Sequence, residues 1–161
     1  MSGINAASTP TIWPTGPTSI TALKIVLDTN ILVAIIGRRS PYRWIFDRLI
    51  DGNISLCVST EILLEYREIL ERKNSAEVAE NVINFIDVHP ATEKTEIYFK
   101  FNLIADDPDD NKFVDCYIAA NAEFIVSNDA HFQKLKQLDF PRIEVLTLKE
   151  FEERFKEELI N

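Results

Sequence analysis

The sequence predicts an α/β fold in which a central parallel sheet carries helices on both faces. Three observations predict it. Short apolar runs (KIVL at 24–27, SLCV at 55–58, FIV at 124–126) alternate with segments whose apolar residues recur at helical spacing. The chain has 161 residues, 46% hydrophobic and 27% charged, which suits a single globular core. Two of the runs end in a carboxylate beside a hydroxyl and an amide, LDTN at 27–30 and VSND at 126–129, as expected of strand ends that emerge on a ligand-binding rim.

The elements follow in order. Residues 1–22 carry no charge and are rich in Ser, Thr, Pro and Gly, the composition of a flexible tail; residues 23–161 form the folded domain. A strand over 24–28 leads into a helix from Asn30 to near Gly37. A second helix over 42–51 points Trp44, Ile45 and Leu49 inward, and Gly52 ends it. After the strand at 55–58, Ser59 or Thr60 caps a helix reaching Lys73, and Ser75 caps another reaching Val88, broken by His89-Pro90. Between 91 and 108 the spacing predicts a short strand near Glu96 to Phe99 and a turn at Asp106-Asp107-Pro108. A helix over 111–121, a strand over 124–126, a short helix opened by Asp129, a strand over 143–146 and a helix over 148–159 complete the chain.

Charge and cysteine content narrow the function. A formal net charge of -9 excludes a surface built for sequence-independent nucleic-acid binding, so any such contact is local. No apolar run is long enough to span a bilayer, and the N-terminal stretch lacks the basic start and apolar core of a secretory signal. Cys57 and Cys116, each among apolar neighbours, are expected to be reduced and buried, which fits a cytoplasmic protein.

Four acids stand apart from the solvated majority. Asp28 and Asp129 follow strands, although turn chemistry alone also favours Asp there. On the helix over 60–73 the apolar stripe is Ile62, Leu63, Tyr66, Ile69 and Leu70, and Glu65 is the acid nearest it at about 100° per residue, either a site residue or half of a semi-buried salt bridge. Asp115 lies in the apolar run FVDCYIAA, where an ionised carboxylate is costly unless paired, and Lys112 is a poorly placed partner. Asp106, Asp107, Asp109 and Asp110 surround Pro108 as turn residues, with Asp110 the expected helix cap. Gathering Asp28, Glu65, Asp115 and Asp129 would raise their pKa values by mutual repulsion unless a hard divalent ion, Mg²⁺ or Mn²⁺, sits among them. His131 is expected on the surface of its helix.

These motifs, VLDTN at 26–30, the acid six residues after Ser59 in STEILLE, DPDDNKFVDCYIAA at 107–120 and IVSNDAHF at 125–132, resemble the PIN domain, and most closely its VapC-like members, the toxin components of toxin-antitoxin systems. The resemblance covers about residues 24–150. It implies a Rossmann-like three-layer α/β/α sandwich and a Mg²⁺- or Mn²⁺-dependent endoribonuclease hydrolysing phosphodiester bonds. It assigns Asp28, Glu65, Asp115 and Asp129 as catalytic and metal-binding acids, with Asn30, Ser127 and Asp110 in support. It also implies an RNA substrate, a cognate antitoxin protein and a homodimer. Two competing readings are a phosphatase of the haloacid dehalogenase type, which normally has a second Asp where this chain has Asn30, and a PIN fold serving as a non-catalytic binding module.

Overall fold

The computed structural model describes residues 21–161. All of the expected tail except Thr21 and Ala22 lies outside the described residues. Five strands form one parallel sheet in the order β3-β2-β1-β4-β5, with β1 over Leu23–Leu27, β2 over Ile54–Val58, β3 over Glu93–Lys94, β4 over Phe124–Val126 and β5 over Val145–Leu146. Helices α1 (Thr29–Ile36), α2 (Arg43–Ile50), α3 (Thr60–Lys73), α4 (Ala76–Val88), α5 (Asn111–Ala120), α6 (Ala130–Gln133) and α7 (Leu148–Ile160) cover it. Consecutive residues of a strand face opposite sides of a sheet, yet Ile25, Val26 and Leu27 are all 0% exposed. Both faces are therefore roofed, as a parallel sheet requires, and the architecture is the three-layer α/β/α sandwich.

Local chemistry sets the boundaries. Ser59 Oγ accepts from Ile62 N at 3.3 Å and Ser75 Oγ from Val78 N at 3.1 Å, so the two expected serine caps start α3 and α4. Asn121 ends α5 in the left-handed region at φ 54°, a conformation Asn tolerates better than most residues.

Two edge strands differ from expectation. The strand expected near Glu96 to Phe99 lies at Glu93–Lys94, paired with Cys57 and Val58. Thr95 N makes the last bond of that ladder, to Val58 O at 2.8 Å, and beyond it Tyr98 and Phe99 turn out to solvent. The final strand shortens to Val145–Leu146, and the Glu144 N–H donates to the Tyr117 hydroxyl at 3.2 Å.

The strand order positions the site. From β1 the chain moves outward to β2 and β3, then returns to the other side of β1 to form β4 and β5. The switch point lies between β1 and β4, where diverging connections open a crevice beyond the strands' carboxyl ends. Asp28 and Ser127 are the residues that leave these two strands.

Candidate active site

Asp28 occupies the N-cap position of α1, but its side chain makes no cap bond. Its Oδ2 accepts from the fully buried Ser127 Oγ at 2.8 Å, across the β1–β4 junction. Burial raises the Asp28 pKa above its ordinary value; the Ser127 and Thr29 hydrogen bonds oppose this, and the charges of Asp129 and Glu65 add to it. Behind it, the buried Tyr66 hydroxyl donates to Leu27 O at 2.5 Å and pins the strand end. The apolar spacing of α3 shows Tyr66 only as a core residue, so its hydroxyl contact had no sequence signal.

Asp129 comes from the β4 exit. Its backbone N–H donates to Ser127 Oγ at 3.0 Å, and its Oδ1 caps α6 by accepting from His131 N at 2.8 Å. One hydroxyl thus organises both strand-end acids. Asn128 faces away and accepts from Leu148 N at 2.9 Å, which ties the β4 exit to α7.

Glu65 borders the same crevice and forms the semi-buried salt bridge that is one of the two roles open to it. Its Oε2 accepts from Thr29 Oγ1, and its Oε1 pairs with Lys112 Nζ at 2.9 Å, so the lysine considered for Asp115 belongs to Glu65.

The third carboxylate is where expectation and structure part. Asp115 is buried, and its Oδ1 accepts from Phe101 N at 3.0 Å. Burial raises its pKa, the Phe101 bond and the Lys100 charge lower it, and Glu61 raises it; Asp28, Glu65 and Asp129 are not among the groups that perturb it. One helical turn earlier on α5, the buried Asn111 side chain both donates to and accepts from the backbone of Ile104. Residues 111 and 115 share a helix face. Together they hook the irregular segment 101–104 onto the sandwich, which accounts for a carboxylate inside an apolar helix.

Asp110, unlike Asp115, feels the charges of Asp28 and Asp129. It precedes α5 but makes no side-chain cap bond, contrary to the expected capping role. Its pKa is pushed up to about 7, first by burial and then by the charges of Asp107, Asp28 and Asp129, only partly offset by the His131 imidazole. His131, expected on the surface, instead turns Nδ1 inward, 3.5 Å from Asp129 Oδ1 and 3.7 Å from Asp110 Oδ2. Asp110 Oδ2 and His131 Nδ1 are both buried without a hydrogen-bond partner among the described residues. Asn30, expected in support, is exposed, and its amide oxygen accepts from Lys73 at 3.3 Å.

The crevice thus gathers Asp28, Asp110 and Asp129, with Glu65 at one border and Asp107 and His131 at another. Hard oxygen donors, repulsion among them and two orphaned buried donor atoms are the chemistry a divalent cation satisfies, and the residues fit one.

The comparisons agree with this geometry. A family model described as the PIN domain matches residues 24–131. Among curated proteins none matches significantly. The VapBC2 complex of Rickettsia felis, bound to a DNA fragment from its promoter, has a similar fold, with a TM-score of 0.55 and 16% identity over 78% of this chain and 98% of that one. DNA-bound VapBC from Salmonella typhimurium gives 0.52 and 16% over the same shares. With well over half of its length matched to the family model, and with the sheet order and strand-end acids described above, the chain belongs to the PIN domain family.

Proposed function

We propose that this chain is a divalent-metal-dependent endoribonuclease and the toxin of a toxin-antitoxin pair, acting in the cytoplasm as a homodimer and restrained by a cognate antitoxin protein. Family membership makes it a PIN nuclease in class, and the likeness to two VapBC complexes supports the toxin reading. Among the described residues no helix is long and apolar enough to cross a membrane. The observation that carries the reading is the convergence of Asp28, Asp110 and Asp129 on the crevice between β1 and β4, with Asp110 shifted to about 7 by burial and neighbouring charge.

In this reading Asp28, Asp110 and Asp129 hold a Mg²⁺ or Mn²⁺ ion, Glu65 borders it, and Asp115 has no part in it. The bound ion supplies an acidified water and charge neutralisation at the phosphate. The chain's own residues do the rest. Ser127 holds Asp28 and the Asp129 backbone in register. Lys112 balances the Glu65 charge and keeps that carboxylate from repelling a phosphate. Among the described residues, neither cysteine nor Ser127 is a ready competing nucleophile: burial pushes the Cys57 and Cys116 thiols to about 12, and the Ser127 hydroxyl proton is committed to Asp28. This supports hydrolysis by water.

The test is incubation of the purified chain with single-stranded RNA. Internal cleavage is expected with Mg²⁺ or Mn²⁺ and none with EDTA. Phosphate release from small phosphomonoesters without RNA cleavage would replace this reading with a phosphatase, and inertness toward both with a binding module.

A further inference from the structure

The His131 imidazole is the feature of the acidic crevice that the proposed hydrolysis does not use. Its Nδ1 is buried, lies 3.5 Å from Asp129 Oδ1 and 3.7 Å from Asp110 Oδ2, and has no hydrogen-bond partner among the described residues. Asp110 Oδ2 is orphaned in the same way. One donor atom each from Asp107, Asp110 and His131 lies within 4.8 Å of the others.

These spacings bear on what the imidazole can bind. A charge-assisted N–H···O bond closes to about 2.7–2.9 Å, so at both nitrogen-oxygen distances neither carboxylate holds the ring by such a bond. Donors at about 2.1 Å from a shared octahedral cation stand roughly 3 Å apart when adjacent and about 4.2 Å apart when opposite. The His131–Asp110 separation of 3.7 Å falls between those two values, and the 4.8 Å bound on the set of three lies just beyond the larger. The backbone of His131 is already fixed by its bond to Asp129 Oδ1 at 2.8 Å, so only the ring has to settle.

Resting on the metal-dependent reading above, we propose that His131 Nδ1 is a nitrogen ligand to that same cation, joining it through Asp110 with Asp107 beside them and adding to the Asp28 and Asp129 carboxylates, and that it makes the site prefer a first-row transition-metal dication over Mg²⁺. Mg²⁺ takes oxygen donors and dehydrates reluctantly, whereas imidazole adds more affinity for ions later in the Irving–Williams order. An all-oxygen crevice would give a weaker preference. Mn²⁺ is the probe, since its paramagnetism reports the donor atom directly.

The experiment uses the full chain without a histidine tag. Mn²⁺ binding is followed by electron paramagnetic resonance, Mg²⁺ binding by competition, and the bound Mn²⁺ is examined by pulsed resonance for coupling to ¹⁴N. The expected result is an imidazole coupling in the parent that disappears in His131→Gln. Mn²⁺ affinity should fall about tenfold in that variant while Mg²⁺ affinity changes less than about twofold. The other histidine, His89, has both ring nitrogens engaged, with Ile50 O and Ala91 N, and is not a source of the signal. Bound Mn²⁺ without ¹⁴N coupling in the parent overturns the proposal with no variant needed, and equal losses of Mn²⁺ and Mg²⁺ affinity overturn the preference. RNA cleavage with Mn²⁺ but no nitrogen coupling removes this inference alone. Nitrogen coupling without cleavage removes the nuclease reading alone, and failure to bind either ion removes both.

Discussion

Ser127 Oγ donates to Asp28 Oδ2 at 2.8 Å between two buried groups, joining the carboxyl ends of the adjacent strands β4 and β1. The same oxygen accepts from Asp129 N at 3.0 Å, so a single hydroxyl sets the spacing of two site acids. Ser127→Ala should cost about 1–2 kcal/mol of stability through the lost bonds. It should also lower divalent-ion affinity about tenfold, the effect of losing a partner that orients a ligand. Thermal melts and ion titration read the two effects separately. Unchanged ion affinity would mean that Asp28 is oriented by the backbone alone.

Asp110 gives the metal-free protein a pH dependence. Its carboxyl moves from the ordinary 3.8 to about 7 because it is buried and surrounded by Asp107, Asp28 and Asp129. A folded value above the unfolded one favours the folded state at low pH, and that contribution is lost as pH rises from about 3.8 through about 7. Asp110→Asn, neutral throughout, should therefore melt higher than the parent at pH 8 in EDTA, by roughly 1–2 kcal/mol once solvent screening is allowed for, with little difference near pH 4. Cleavage should be lost. A variant less stable at pH 8 would show that the carboxylate already has a partner in the metal-free protein.

Lys112 stands between stability and ion binding. Its ammonium is 2.9 Å from Glu65 Oε1, and Glu65 acts on the buried Asp28. Lys112→Met leaves Glu65 with only the Thr29 hydroxyl, so the metal-free protein should melt several degrees lower, a loss of about 1–3 kcal/mol. Saturating divalent ion should then raise the melting temperature of the variant more than that of the parent, because the ion takes over part of the missing charge. Equal gains in both proteins would place Glu65 outside the ion's reach.

The fold was legible because its signals are local and repeated. Alternating apolar runs and helical stripes mark the elements, and Ser59 and Ser75 mark helix starts that the structure reproduces. Asp28 and Ser127 were legible for the same reason, since a polar residue that ends a buried strand has few places to point. The start of α5 was less legible. Burial in an apolar helix suggests a metal at Asp115, whereas a backbone N–H fourteen residues earlier supplies a partner for that carboxylate. Pairing between an irregular segment and a helix has no periodicity, and neither Phe101 nor Ile104 advertises an N–H that needs an acceptor. Conversely, Asp110 looked like an ordinary cap, and only the tertiary meeting of α5 with the β1 and β4 exits turns its carboxylate inward. The inward ring of His131 was hidden likewise, because α6 is too short for a face to be read from spacing.

Asp115 separates the two versions of the third acid. If it serves the cation, Asp115→Ala should abolish cleavage and leave the metal-free protein as stable as the parent or more so, since one carboxylate is removed from a repelling set. The proposed site implies the opposite. The carboxylate is buried and accepts from Phe101 N at 3.0 Å, so truncation leaves that N–H without its acceptor and loosens the segment that Asn111 holds at Ile104. The expected cost is about 1.5–3 kcal/mol, a fall of several degrees in melting temperature. Asp115→Asn keeps an oxygen for Phe101 N and should recover part of that loss, which a purely electrostatic role would not allow. At a temperature where both proteins are folded, the alanine variant should cleave RNA within about twofold of the parent rate and bind divalent ion equally well, whereas Asp110→Asn does neither. An inactive Asp115→Ala protein with an unchanged melting temperature would return Asp115 to the site and displace Asp110 from it.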